Sequence, residues 1–364
     1  MKRKIAGKNI GSSGWGRQDF AFWSNEWGIR MKQEDREAYE EAFRRARRFV
    51  FKNARPIDLV RWQYHFENGS REAVLDALAN YQNTDGGFGY GLEPDFWNPH
   101  SSPAQTYEAT EILWELGMDS SDAEHPIIQG ILDYLSDCKD FDGDYWAHTI
   151  ETNNRYPHAD WWHFPHSSWW EDNAANRFAY DCNPTAGLVG FILYFEDPDT
   201  DFYDLAKEMA SDMIKQFFLI EECHDMHVVS CFARLYDYLL EAGLADEFPM
   251  EQFGKHLRQV VKSTITQDVN LYITMWGVNI CRPSVFIQSA ESMYYKDNKK
   301  IADFELEFIA KTQLRDGSWE VTWDWGKNYP AAWGVAKNWW KTRIVIENLL
   351  YWTNMSGIIE ELEK

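Results

Sequence analysis

Two stretches far apart in the chain share one internal spacing. Gln82-Asn83-Thr84-Asp85-Gly86-Gly87-Phe88 and Gln313-Leu314-Arg315-Asp316-Gly317-Ser318-Trp319 both read Gln, then Asp-Gly three residues on, then a small residue and an aromatic. A worn copy stands at Asp140-Phe141-Asp142-Gly143-Asp144-Tyr145-Trp146. Each follows a stretch of helical periodicity. One such match would be a turn, but recurrence after successive amphipathic helices implies repeated units that bury their apolar faces against one another.

The helical pattern runs from Gln33 almost to the end and predicts twelve helices in six pairs: 33–53 with 57–67, 71–82 with 104–117, 125–138 with 183–195, 201–219 with 225–242, 249–265 with 281–295, and 299–313 with 334–353. In several pairs a helix apolar on one side precedes one apolar nearly all round. Two concentric rings satisfy that alternation, with six outer helices around six inner ones. The expected fold is therefore all-α, an (α/α)6 toroid spanning residues 31–364, preceded by an irregular aromatic arm over 1–30.

Connections from inner to outer helices are short. Those from outer to inner are mostly long: 83–103, 139–182, 266–280 and 314–333, and they carry more than half of the 19 Trp. In a toroid these links share one rim with the N-termini of the inner helices, and long loops gathered on one face are usually functional.

A formal charge of −22 argues against nucleic acid and anionic membrane surfaces, which need clustered Lys and Arg. No stretch approaches about 18 apolar residues, so no membrane span is expected. Five Cys without close pair spacing (Cys138, Cys182, Cys223, Cys231, Cys281) and an N-terminus without a signal-peptide apolar run point to reduced thiols and a cytoplasmic protein.

The two Gln-x-x-Asp-Gly-[Gly/Ser]-[Phe/Trp] stretches resemble the QW-type repeat of the terpenoid cyclase and protein prenyltransferase superfamily, the prenyltransferase/squalene–hopene cyclase repeat. The resemblance implies that Gln caps the outer helix and bonds the following loop, that Asp-Gly turns the chain, and that the aromatic wedges against the neighbouring pair. It also implies that family's six-pair toroid and an enzyme working on an isoprenoid-like substrate. The chain departs from the family in two motifs. It has no Asp-x-Asp-Asp acid motif of the squalene–hopene type, and no suitably placed Asp-x-Cys of the zinc-binding prenyltransferases.

Candidate chemistry falls in three places. Glu93 and Asp95, in the unrepeated tail of the first copy, can act as an acid–base couple or bind a cation, or can simply anchor the loop. The segment Tyr156–Trp170 packs His158, Asp160, Trp161, Trp162, His163, His166, Trp169 and Trp170 into the longest loop, either as a site or as a self-packed lid. His158-x-Asp160-x-x-His163 leaves a divalent metal open but fits no standard zinc spacing, so no cofactor is expected. Glu221, Glu222, His224 and Asp225 precede the fourth inner helix, where acids also suit the helix dipole. The expected catalytic set is Glu93, Asp95, His158, Asp160, His224 and Asp225, with Tyr90, Trp97, Trp161, Trp162, Glu222 and Trp323 contacting a small-molecule substrate in a central cavity. The isoprenoid reading leads. A glycoside hydrolase or lyase on an α/α barrel, and a non-catalytic lipid- or peptide-binding toroid, remain alternatives.

Overall fold

The fold, a computed structural model, describes residues 33–165, 174–274 and 280–356. The expected arm over 1–30, and His166, Trp169, Trp170 and Trp276, lie outside the described residues. Among the described residues there are α-helices, short 3-10 turns and isolated β-bridges, so the chain is all-α. The helices are α1 (Gln33–Asn53), α2 (Pro56–Phe66), α3 (Arg71–Ala79), α4 (Pro103–Glu115), α5 (Pro126–Ser136), α6 (Ala174–Phe195), α7 (Asp201–Phe217), α8 (Met226–Glu241), α9 (Met250–Thr264), α10 (Val269–Thr274), α11 (Tyr295–Thr312) and α12 (Pro330–Ser356).

Local chemistry sets many of these boundaries. Ser70, Ser102 and Thr200 each accept a backbone N–H from the third residue on, capping α3, α4 and α7. Proline fills the first turn of α2, α4 and α5, where no intrahelical N–H partner exists to lose.

The expected fifth inner helix over 281–295 does not form. That segment holds only a 3-10 turn, Pro283–Val285, while the short α10 occupies a stretch expected to be loop. Arg282 precedes proline and is extended (ψ 147°). Ser289 and Ser292 side chains then take the backbone N–H groups of Glu291 and Tyr294, bonds that compete with a helical ladder. In the other direction, α6 begins at Ala174, within the expected long loop, and is kinked at Asn183 before Pro184.

Packing links successive helices across the predicted pairs and joins the first and last described helices. α4 packs on α6, α6 on α7 and α8, α8 on α9, and α2 on α3. α12 packs on α11, α1 and α2, so the last helix meets the first two. Tyr39 and Trp352 meet edge to face at 5.4 Å in the core that α1 shares with α12.

The two faithful repeats have the same internal bonds. Gln82 Nε2 donates to Gly86 O (2.9 Å) and, on α5, to Ile127 O (3.1 Å). Gln313 Nε2 donates to Gly317 O (3.0 Å) and to Ala42 O on α1 (2.9 Å). Gly86 and Gly317 adopt φ of +87° and +97°, and a Cβ on either would lie 1.9 or 2.1 Å from a carbonyl oxygen of the helix it docks on. In the worn copy the aromatic keeps its place: Trp146 Nε1 donates to Leu135 O, as Trp319 Nε1 does to Ile309 O.

Candidate active site

The tail of the first repeat, residues 90–98, is fixed from every side. Arg55, before α2, donates Nη1 to the carbonyls of Gly91 (2.8 Å) and Leu92 (3.0 Å). Gln105 in the first turn of α4 accepts from Leu92 N (2.8 Å) and donates to Asn98 O (3.0 Å). The loop of residues 139–165 joins by backbone pairing, Trp97 N to Pro157 O and Ala159 N to Asp95 O. Asn98 Nδ2 adds bonds to Thr152 and Asn153. Two of the long connections expected on one rim are thereby in contact.

Asp95 is their common point. Its Oδ1 accepts from the indole nitrogens of Trp325 and Trp340, both at 2.6 Å, and its Oδ2 accepts from Trp323 at 2.9 Å. The carboxyl is 3 % exposed. Burial pushes its pKa up to about 6, against the three indole donors and Arg343, which favour the ionised form. Trp323 and Trp340 stand edge to face at 4.9 Å, and Trp97 stacks on Trp339 at 5.0 Å. These four indoles are half-buried.

Glu93 is differently placed. It is only partly buried, and its Oε2 accepts the Asp95 N–H at 2.5 Å. Burial, followed by the charges of Asp95 and Glu108, holds its carboxyl well above the ordinary glutamate range. Glu108, on α4, is raised by burial and drawn back by Arg343 of α12, whose Nη1 donates to Glu108 Oε1. Arg343 Nε also donates to Glu347 (2.9 Å), and its guanidinium lies 5.1 Å from the centre of the Trp340 ring.

Below this cluster α4 is an ionic hub. Glu108, Glu111 and Glu115, spaced three and four apart, lie along one face of the helix. Each takes an arginine from a different helix: Arg343 of α12, Arg234 of α8 and Arg61 of α2. Burial opposes ionisation of Glu115, but Arg61 and His65 beside it hold its carboxyl well below the usual range. The wall expected to be aromatic and apolar is thus crossed by buried ion pairs. Sequence reasoning passed over Glu108, Glu111, Arg343 and Trp340. The available signal was a Glu stripe at helical spacing on a helix otherwise lacking charge, with lone arginines on α2, α8 and α12.

The remaining expected residues divide. His158 joins the cluster through the Phe96–His158 backbone bridge. Its Nδ1 donates to Tyr156 O (2.7 Å), and its Nε2 lies 3.0 Å from His163 Nδ1 in a hydrogen bond between the two rings. Trp162 packs on Phe96 at 4.3 Å and stacks on His148 at 4.7 Å. Asp160 and Trp161 are exposed, Asp160 accepting from Asn328 (3.0 Å). Tyr90 is exposed with φ +60°. Asp225 caps α8 by accepting from His227 N, and Glu222 and His224 are exposed. Among the described residues no hydrogen bond or ring contact ties these three to the Glu93–Asp95 loop. A cleft of about 430 Å³ lined by Asn83, Asp85, His100, Tyr134 and Asp137, among others, includes none of the expected site residues.

Among the described residues no group of three or more His, Cys, Asp or Glu is placed to hold a metal ion, and no helix is long and apolar enough to cross a membrane. The five cysteines are free and buried. Comparison with protein families, with curated proteins and with solved structures finds no match to this chain.

Proposed function

We propose that the chain closes into an (α/α)6-type toroid and acts as an acid–base enzyme on a hydroxylated, carbohydrate-like small molecule, with Glu93 as the proton donor. The fold reading is supported by the two equivalent docking bonds. Gln82 ties its loop to the following outer helix, and Gln313 makes the same tie to α1, as a ring requires. α10 and the Pro283–Val285 turn take the place of one inner helix.

The observation that carries the activity is the Glu93 carboxyl. It is only partly buried, held by one backbone N–H, and raised well above the ordinary glutamate value by burial and two neighbouring carboxylates. A general acid needs that combination. The partly exposed indoles of Trp97, Trp323, Trp339 and Trp340 supply aromatic surface, and the ionic face of α4 favours hydroxyl groups over a hydrocarbon chain. Removing the Glu93 proton donor should cost about 100-fold or more in turnover.

A second reading keeps the substrate of the resembling superfamily, an isoprenoid protonated by Glu93 between indole faces; the Gln82 and Gln313 docking bonds favour it. One assay separates the two. The purified protein is incubated with nitrophenyl glycosides and short oligosaccharides, and in parallel with squalene and polyprenyl diphosphates, alongside Glu93→Gln. Glycoside cleavage lost in Glu93→Gln supports the first reading, and turnover only of the isoprenoids supports the second. Turnover of neither set leaves the protein a binder and overturns both.

A further inference from the structure

Glu108 belongs to the site by geometry. Gln105 holds Leu92 and Asn98 in place from α4, Glu108 lies one turn further along the same face, and its charge acts on Glu93, the residue after Leu92. A second route closes the same circle. Glu93 accepts from Asp95 N, Asp95 accepts from Trp340, Arg343 lies over Trp340, and Arg343 donates to Glu108. We propose that Glu93 and Glu108 work as one acid–base couple in which Arg343 decides which carboxyl holds the proton. The inference rests on the acid–base reading of Glu93.

Charge supports this assignment. Glu93 is faced by Asp95 on its own loop, Glu108 on α4 and Arg343 on α12, while Glu108 also faces Arg61 on α2 and Glu111 on its own helix. Arg343 bonds Glu108 directly and acts on Glu93 only through space, so the negative charge is favoured on Glu108 and the proton on Glu93. Burial raises both carboxyls, and the bond from Arg343 draws Glu108 alone back, which gives the two distinct acid and base roles.

In hydrolysis, Glu93 gives its proton to the leaving oxygen as the carbon–oxygen bond breaks and the electron pair stays on that oxygen. Glu108 takes a proton from the water whose oxygen bonds to the carbon. Substrate and water become two hydroxyl products, and solvent returns the proton from Glu108 to Glu93.

The test has two arms. In the first, protein carrying carboxyl-¹³C glutamate is titrated by NMR as wild type, Glu93→Gln, Glu108→Gln and Arg343→Met. The Glu93 midpoint should fall towards the ordinary glutamate value in Glu108→Gln, and the proton should move onto Glu108 in Arg343→Met. An unchanged Glu93 curve in a folded Glu108→Gln protein overturns the couple. In the second arm, Glu108→Ala should lose about 100-fold or more of glycoside cleavage and recover with azide, giving a glycosyl azide. Loss without rescue in a protein of unchanged circular dichroism, or no loss, overturns the role of Glu108. A wild type inert on every glycoside overturns the carbohydrate reading alone, since the titration still decides the couple.

Discussion

Asp95 and Trp325, 230 residues apart in sequence, are joined by a 2.6 Å hydrogen bond from the indole nitrogen to Oδ1, within a carboxyl that also accepts from Trp323 and Trp340. One short side chain thereby fastens the first repeat's tail to the last loop and the last helix. All three donors are indoles of the protein itself.

Asp95→Asn keeps the shape but offers a single carbonyl oxygen to three indole donors. At least one N–H is left unbonded in a buried place, at a cost of about 1–3 kcal/mol. Chemical denaturation should show a loss of that size, and the emission of the freed indoles should change. An unchanged midpoint would mean that the loop is held without Asp95.

The pH dependence of stability carries a sign. The pKa of Asp95 is raised from 3.8 to about 6 in the folded chain, so the folded state binds the proton more tightly than the unfolded one. The contribution is present in full below the unfolded value and is lost as pH rises from about 4 to about 6. Thermal melts across that window should fall with pH less steeply in Asp95→Asn than in wild type. Equal slopes in the two proteins would refute the assignment.

Arg61 and Glu115 form a buried two-pronged pair, Nη2 to Oε2 at 2.6 Å and Nε to Oε1 at 3.1 Å, with His65 on the same carboxylate. Glu115→Ala leaves Arg61 only Asp58, 3.6 Å away and already paired with Arg55, and should destabilise by about 3–5 kcal/mol. A double replacement, Arg61→Met with Glu115→Met, should recover much of that loss, because the pair's attraction mainly offsets its own desolvation. Equal losses in the single and double variants would contradict this account.

Gly317 and Gly143 both have φ near +100°, yet differ in surroundings. A Cβ at Gly317 would lie 2.1 Å from Arg45 O on α1, whereas at Gly143 it meets nothing within 4 Å. Gly143→Ala should cost about 1–2 kcal/mol of backbone strain. Gly317→Ala should cost clearly more, since it also pushes the last repeat off the first helix. Comparable melting temperatures for the two variants would show that this docking contributes little.

Helix existence and order were legible in the chain because amphipathic periodicity is local. The repeat turns were legible because Asp-Gly and the following aromatic do the same work wherever they occur. Asp85 Oδ1 accepts from Gly87 N, and Asp316 Oδ1 accepts from Ser318 N. The fifth inner helix was misread because the apolar residues of 281–295 conceal Pro283 and two serines that bond their own backbone. Asp95 stood out through its unusual loop, but its partners at 323, 325 and 340 could not be read. Periodicity within a segment says nothing about which distant indole N–H reaches a carboxyl.

Sequence by itself determined the all-helical character, the repeated turns and the loop in which Glu93 and Asp95 lie, since each depends on contacts between near neighbours in the chain. Tertiary structure alone decided that Glu108, Glu111 and Glu115 would each meet an arginine from a different helix, and that Arg343 would stand between Glu108 and the Glu93 loop. Burial and the charges brought together by packing fix the protonation of a carboxyl, and neither is a property of the residues flanking it.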